Sequence, residues 1–157
     1  MKNEGIKMEE KIISKNENEL IIQFKIQLNS SMLKTEENIQ QALNQAGCLA
    51  TKTLLSNFDS NGDPINVDGI KYTSKGQIEK KYQTPFGEIE LPRHVYQSSK
   101  GGKTYCPLEN DARIIIYSTP KFAKMVSSKY SSNGGRIVQK DLSENHGRYI
   151  SRNYIKI

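Results

Sequence analysis

The middle of the chain holds a run of alternating side chains between two turn signals. Pro and Gly in Thr84-Pro85-Phe86-Gly87 occupy positions that suit a type I turn, and Ser99-Lys100-Gly101-Gly102 supplies a second turn. Four residues between these turns share one face of an extended chain: Ile89, Leu91, Arg93 and Val95. This pattern predicts an antiparallel β-meander, and Pro92 predicts that its strand has an unpaired edge.

A different pattern precedes the meander. Residues 1–19 mix charges of both signs without periodicity, so we expect a loose lead-in. Alternation then predicts a half-buried strand with an apolar side made of Leu20, Ile22, Phe24, Ile26 and Leu28.

Helical spacing follows between Thr35 and Phe58. Thr35 can cap a first helix, and Gly47 offers a left-handed end to it. The apolar side of this helix contains Ile39, Ala42, Leu43 and Ala46. A second short helix would bury Ala50, Leu54, Leu55 and Phe58. The sequence therefore predicts a helical hairpin.

Three short helices are predicted after residue 118. Thr119-Pro120 can begin the first, which would bury Phe122, Ala123, Val126 and Tyr130. A polar run, residues 131–135, separates it from a second helix with Ile137, Val138 and Leu142 facing inward. That helix would end near Asn145-His146-Gly147, and Ser151 can cap a third helix that carries Tyr154 and Ile155.

These elements predict an α+β fold with an N-terminal strand and helical hairpin, a small antiparallel β-meander and C-terminal helix-turn-helix-like helices. The expected division is a lead-in at 1–19, an α+β domain at 20–117 and an incomplete helix-turn-helix-like segment at 118–157.

Charge is concentrated at the C-terminal end of the chain. The formal net charge is +6, and residues 112–157 hold nine Lys or Arg against two Asp or Glu. Residues 1–111 hold fourteen Lys or Arg against fifteen Asp or Glu, so the basic excess lies entirely in the C-terminal part. Because cations that displace counterions from phosphates give most non-specific nucleic-acid affinity, this asymmetry favours a polyanionic partner. A solvated basic surface is the alternative.

A helix-turn-helix places its last helix in the major groove of DNA. On the predicted third helix, Arg152 and Asn153 can contact guanine and adenine, and Lys156 can contact phosphate. Arg148 in the turn and Lys140 on the second helix can contact phosphates. The candidate DNA-binding residues are Lys140, Arg148, Ser151, Arg152, Asn153 and Lys156.

Other chemistries find little support. Residues 58–70 include a stretch that imitates a calcium loop, but Pro64 replaces the required Gly and Ile70 the bidentate Glu, so a polar turn is expected. The run Gly101-Gly102-Lys103-Thr104 lacks the first glycine of a phosphate loop. His94 and His146 have no nucleophile context, and Cys48 and Cys106 are expected to be ordinary thiols. Without an apolar membrane span or a signal peptide, we expect a cytoplasmic, nucleoid-associated protein without a cofactor.

Several segments resemble the N-terminal region of ISKra-type insertion-sequence transposases of bacteria. They are KYTSKGQIEKKYQTPFGEIELPRHVYQSSKGGKTYCPLENDARI, STPKFAKMVSSKY and DLSENHGRYISRNYI, and TEENIQQALNQAGCLATKTLLSNFDSNGDPI also fits. The likeness covers roughly residues 20 to 157, with Asn61 standing where an acidic residue is expected. It implies a DDE transposase in which three carboxylates hold two divalent metals such as Mg²⁺.

Those carboxylates belong downstream of this chain, so the resemblance transfers no catalytic residue. The chain is then expected to be a transposase truncated before its catalytic domain, which binds the inverted repeats of the element without cutting them. Duplex DNA and copies of the full-length transposase are the expected partners. An inert remnant with no specific partner is the alternative, and a self-sufficient nuclease is the weakest hypothesis.

Overall fold

The computed structural model describes residues 10–147. Five strands and four helices follow one another along these residues: β1 (Lys11–Lys15), β2 (Leu20–Gln23), α1 (Met32–Leu55), β3 (Ile65–Val67), β4 (Ile70–Thr84), β5 (Gly87–Ser98), α2 (Pro107–Asp111), α3 (Pro120–Ser132) and α4 (Gly135–Asn145). A 3-10 turn at Ser56–Phe58 ends α1. The predicted α+β class is confirmed.

A long antiparallel hairpin forms the centre of the fold. Strands β4 and β5 pair from Tyr72 opposite Ser98 to Thr84 opposite Gly87, so the predicted turn at residues 84–87 is confirmed. The short strand β3 extends the sheet in the order β3-β4-β5, which leaves β5, with Pro92, at an edge as predicted. Beyond Ser98 the chain turns back, and Tyr105 pairs with Tyr96.

The alternating face of β5 packs into the main core. Ile89, Leu91 and Val95 are buried as the sequence predicts, while Arg93 on the same face is half-buried. One cluster of buried side chains joins the end of α1 to β4, β5 and α2, and it consists of Leu55, Tyr82, Ile89, Leu91 and Leu108. The sheet core therefore depends on residues that are distant in the sequence.

The predicted helical hairpin is wrong, because α1 is a single helix of 24 residues. It begins one turn before the predicted cap, with the Ser31 hydroxyl accepting from the backbone N–H of Lys34 at 3.5 Å. Gly47 lies inside the helix, where a methyl group would come within 2.3 Å of the Phe86 ring. A glycine in a helix interior costs roughly 1 kcal/mol of stability. Here Gly47 does not end the helix; its lack of a side chain leaves room for the Phe86 ring.

The N-terminal prediction needs two corrections. Part of the expected lead-in, Lys11–Lys15, forms β1 and pairs with β2 in a two-stranded sheet, because the two segments satisfy each other's backbone groups. Residues 1–9 of the lead-in lie outside the described residues. The second strand ends at Gln23 rather than Leu28, since no strand pairs with residues 24–28 in the described part of the chain.

Two C-terminal helices share a second, smaller core. Phe122 and Val126 of α3 are buried against Val138 and Leu142 of α4, as predicted. Ile137 was expected to face inward but is 61% exposed. It lies about 100° around α4 from Val138, outside the contact with α3.

The region that resembled a calcium loop is a polar turn tied to the sheet. The Asp59 carboxylate accepts from the backbone N–H of His94 at 3.0 Å and lies 2.9 Å from the ring Nδ1 of the same residue. The amide of Asn61 donates to Asp63 at 2.7 Å. Within residues 10–147 there is no group of His, Cys, Asp and Glu that could hold a metal ion.

Candidate nucleic-acid interface

The orientation of α4 is fixed by polar contacts as well as by the small core. Lys129 of α3 forms an ion pair with Asp141 of α4, and the Asn145 amide donates to the same carboxylate at 2.9 Å. The hydrogen bond from Lys129, followed by that from Asn145, lowers the pKa of Asp141. The two helices are therefore held together through both an apolar and a charged contact.

The turn after α4 is fixed against the tip of the central hairpin. The ring Nδ1 of His146 lies 3.2 Å from the carbonyl oxygen of Pro85. Gly147 has a φ of 91°, and a Cβ there would lie 2.4 Å from the backbone oxygen of Phe86. Glycine satisfies both the left-handed backbone and the close approach. The predicted helix end at residues 145–147 is thus confirmed, and the sheet determines where it lies.

The exposed side of α4 carries two cations. Arg136 and Lys140 are four residues apart, so they are neighbours on the helix surface, on the side away from Val138 and Leu142. Lys140 Nζ lies 3.8 Å from a carboxylate oxygen of Glu144, and both side chains are more than half exposed. An exposed pair of this kind contributes little, so Lys140 can exchange it for another anion.

The N-terminus of α4 lies beside these cations. Its cap residue, Gly134, has no side chain to satisfy the first backbone N–H groups, and a Cβ built on it would meet no atom within 4 Å. Free N–H groups and the positive end of the helix dipole attract anions. Arg136 is exposed in the first turn, so a phosphate could be contacted by a side chain and the backbone together.

The other described cations near α4 point elsewhere. Lys124 is exposed on the side of α3 opposite Phe122 and Val126, and Lys121 is exposed about 100° around the helix from Phe122. Because the apolar sides of α3 and α4 face each other, their exposed sides face in different directions. The basic residues of the pair are therefore divided between two surfaces.

A cleft lies at the other end of α4. Its volume is about 1010 Å³, and it opens between α1, the turn of the central hairpin and the C-terminal end of α4. Its charged lining residues are five carboxylates: Glu10, Glu36, Glu37, Glu88 and Glu144. Among the described residues no Lys or Arg lines it, although Glu88 pairs with Lys81 and Glu144 with Lys140.

Of the six predicted DNA-binding residues, the structure describes one. Lys140 is exposed on α4, and its phosphate-contacting role stays a prediction. The other five lie outside the described residues: Arg148, Ser151, Arg152, Asn153 and Lys156. Sequence reasoning missed Arg136 as a candidate, although its position four residues before Lys140 could have identified it.

A charged cluster that the sequence did not reveal lies on the sheet. One oxygen of Glu109 accepts from Lys80 at 2.6 Å, from the Tyr82 hydroxyl at 2.7 Å and from Arg93 at 3.1 Å. Burial by itself would raise the pKa of Glu109, but the three hydrogen bonds outweigh it and lower that pKa. Burial, and next the hydrogen bond to Glu109, raises the pKa of Tyr82. Because all three donors bind the same carboxylate oxygen, we interpret the cluster as one that stabilises the core.

The two cysteines lie in surroundings that lower their reactivity. Burial raises the pKa of the Cys48 thiol and that of the Cys106 thiol, which opposes thiolate formation. Both cysteines are free.

The helices within residues 10–147 include none that is long and apolar enough to cross a membrane.

Comparison with known proteins adds no assignment. No family model, curated protein or solved structure matches the chain. The likeness to ISKra-type transposases therefore stays a prediction from the residues.

Proposed function

We propose that this chain is a duplex-DNA-binding module whose α4 contacts the phosphate backbone. The observation that carries the proposal is the exposed first half of α4, where Arg136, Lys140 and an uncapped helix N-terminus lie on a helix held firmly by α3 and the sheet. Cations and backbone N–H groups at a helix N-terminus are common phosphate contacts in protein–DNA complexes.

The phosphate contacts are placed on the first half of α4, where its described exposed cations lie. Base contacts are assigned to Arg152 and Asn153, with Arg148, Ser151 and Lys156 as further contacts. These five residues lie outside the described part of the chain, and their roles rest on the sequence pattern.

The resemblance to transposases would define the target. In that case the DNA is the inverted repeat at the ends of an insertion sequence, and the module occupies it without strand transfer. A cytoplasmic, nucleoid-associated location and association with full-length transposase copies belong to the same proposal. Divalent metal chemistry would belong to the catalytic domain that the resemblance implies, and no residue of this chain is assigned to it.

Fluorescence anisotropy with a short labelled duplex tests the phosphate contacts. The double variant Arg136→Ala/Lys140→Ala should weaken binding and reduce the slope of log affinity against log salt by about 2, close to one for each lost contact. The matched control is Lys121→Ala/Lys124→Ala, which removes the same charge from α3. This control should retain most of the affinity.

Two results would reject the proposal. Equal losses in both double variants would mean that net charge alone attracts DNA, which is the behaviour of a remnant with a basic surface. Absence of DNA binding at low salt would favour the alternative hypothesis, an inert remnant with no specific partner. Preference for the ends of the encoding element over a scrambled duplex of equal length tests the transposon target separately.

A further inference from the structure

The hairpin of β4 and β5 carries its charges unevenly along its length. In the half that ends at the turn between the two strands, Lys80 and Arg93 form ion pairs with Glu109. The other half is formed and continued by residues 69–78 and 94–108, which contain no Asp or Glu. Cations in this half therefore have no carboxylate within their own segments.

The far end of the hairpin gathers four exposed lysines from three stretches of chain. Two come from β4, one from the turn after β5 and one from the segment that returns beside β5. Tyr72 pairs with Ser98 and Tyr96 pairs with Tyr105, so these stretches are neighbours in the sheet. We call the four side chains the lysine patch: Lys71, Lys75, Lys100 and Lys103.

The lysine patch is not neutralised by the described part of the chain. Within residues 10–147 none of its side chains forms an ion pair or a side-chain hydrogen bond. Two carboxylates lie near this end of the sheet, because burial first, and then negative charges that include Asp111 and Asp68, raises the pKa of Tyr105. Four cations against two carboxylates leave the local charge positive.

Hydrogen bonds hold the turn of the lysine patch in place. The backbone N–H of Gly101 donates to the Ser98 oxygen at 3.0 Å, and the Ser98 hydroxyl donates to the Gly101 oxygen at 2.8 Å. The Gln97 amide donates to the Gly102 oxygen at 3.2 Å. Because the turn is already ordered, binding costs less conformational entropy.

The backbone of the same turn is open to a ligand. Gly101 and Gly102 have φ values of 74° and 94°, and a Cβ on either would meet no atom within 4 Å. The backbone N–H groups of Gly102 and Lys103 donate to no other residue in the described part of the chain. Backbone N–H groups and lysines both contact phosphate oxygens in protein–DNA complexes.

We propose that the lysine patch is a second phosphate-contacting surface for DNA, separate from the first half of α4. Four cations without a described partner, beside an open glycine turn, carry this inference, which rests on the proposed function for the identity of the polyanion. The two surfaces lie toward opposite ends of the hairpin. His146, after α4, contacts Pro85, and Tyr72 lies twelve residues along β4 from Thr84, which is about 40 Å of strand.

The composition of the patch favours a nucleic-acid backbone over a lipid surface. Residues 98–104 contain no apolar side chain, so the turn offers nothing to insert between lipids. A nucleic-acid strand carries one negative charge per about 3.4 Å, so several lysines can each contact a phosphate. Each contact releases a condensed counterion, and binding should therefore depend on salt.

Fluorescence anisotropy with a labelled duplex of about 30 base pairs tests the patch. Lys100→Ala/Lys103→Ala should reduce the slope of log affinity against log salt by about 2. Between about 50 and 200 mM salt the wild-type affinity should then fall roughly tenfold more than that of the variant. The matched control is Lys121→Ala/Lys124→Ala, which removes the same charge from α3. An equal loss of slope in the control overturns the proposal.

The design separates this proposal from the contact at α4. If α4 binds no DNA, Arg136→Ala/Lys140→Ala should bind like the control while the patch variant still loses salt slope. If Lys100→Ala/Lys103→Ala binds like the control while the α4 variant is weakened, the patch proposal is overturned and the proposed function is retained. Circular dichroism should show equal secondary structure in all variants.

Lysine acetylation read by mass spectrometry locates the contact in the wild-type chain. Saturating duplex should protect the lysine patch several-fold, whereas the exposed Lys34 and Lys52 of α1 should react as they do without DNA. Unchanged reaction of the patch overturns the proposal. So does a patch variant that loses binding to phosphatidylserine vesicles but keeps its duplex affinity, because a lipid surface would then be the partner.

Discussion

The central sheet and the α3–α4 pair are stabilised in different ways. In the sheet, five buried apolar residues come from α1, β4, β5 and α2, and Glu109 gathers three donors around one carboxylate oxygen. In the helical pair, four apolar residues within twenty-one positions form the core, and Lys129 and Asp141 pair near the surface. The sheet is thus the long-range part of the fold, and the helical pair is the local part that offers cations to solvent.

The largest expected effect tests whether the sheet carries the stability of the whole chain. Leu91→Ala should lower the free energy of unfolding by about 2 to 5 kcal/mol, because Leu91 is 1% exposed in the main core. Urea titration followed by circular dichroism measures this change. Ile78→Ala, at an exposed position of β4, is the matched control and should change the value by about 0.5 kcal/mol or less.

The corresponding change in the helical pair should act locally. Leu142→Ala should cost about 2 to 3 kcal/mol, the lower part of the range for such a substitution. Hydrogen exchange should then accelerate in α3 and α4 while β4 and β5 stay protected. Equal acceleration in both regions would mean that the two cores unfold as one unit and would break the comparison.

An intermediate effect is expected at Glu109. Its carboxylate is 26% exposed and accepts from two cations, so Glu109→Gln should cost about 1 to 3 kcal/mol at neutral pH. The same substitution at Glu79, an exposed carboxylate of β4, is the control. A loss no larger than that of the control would mean that the cluster contributes no stability.

The pH dependence of the same variant has a definite sign. The pKa of Glu109 is lowered in the folded chain, so its contribution is present above the unfolded value of about 4.3 and is lost as the pH falls through the folded value. Wild-type stability should therefore decline below about pH 4.3 more steeply than that of Glu109→Gln. Parallel pH profiles of the two proteins would contradict this assignment.

The smallest effect is expected at the ion pair of the helical pair. The side chains of Lys129 and Asp141 are 30% and 34% exposed, so Asp141→Asn should cost only about 0.2 to 1 kcal/mol. The loss should shrink in high salt, as expected for a screened pair. Glu144→Gln, which removes the more exposed partner of Lys140, is the control. A loss at Asp141 as large as that at Glu109 would remove the distinction between the two charged contacts.

Local signals in the sequence were reliable where the structure depends on neighbours in the chain. The turn at Thr84–Gly87, the alternation of Ile89 and Leu91 and the helix that begins at Pro120 were all predicted. The prediction for Gly47 was wrong, because the sequence alone does not distinguish a glycine that ends a helix from one that makes room for an aromatic ring. Phe86 lies thirty-nine residues away.

In the candidate site, too, some features could be predicted from local sequence and others depend on tertiary packing. Exposed Lys140 could be predicted from helical spacing, and the structure adds Arg136 and the uncapped start of α4 beside it. The separation of these cations from Lys121 and Lys124 follows from the packing of α3 on α4, which the net charge cannot reveal. Likewise, the acidic cleft joins Glu36, Glu88 and Glu144 from three distant elements.

The sequence by itself determined the α+β class, the hairpin turn, the start of α3 and the basic C-terminal segment, because each of these follows from preferences that act over a few residues. Only the tertiary structure decided that α1 is continuous and that Glu109 accepts hydrogen bonds from Lys80, Tyr82 and Arg93. Burial and hydrogen bonding are set by whichever chain segments meet in space. The intrinsic preference of each residue for helix or strand does not determine which distant segments come into contact.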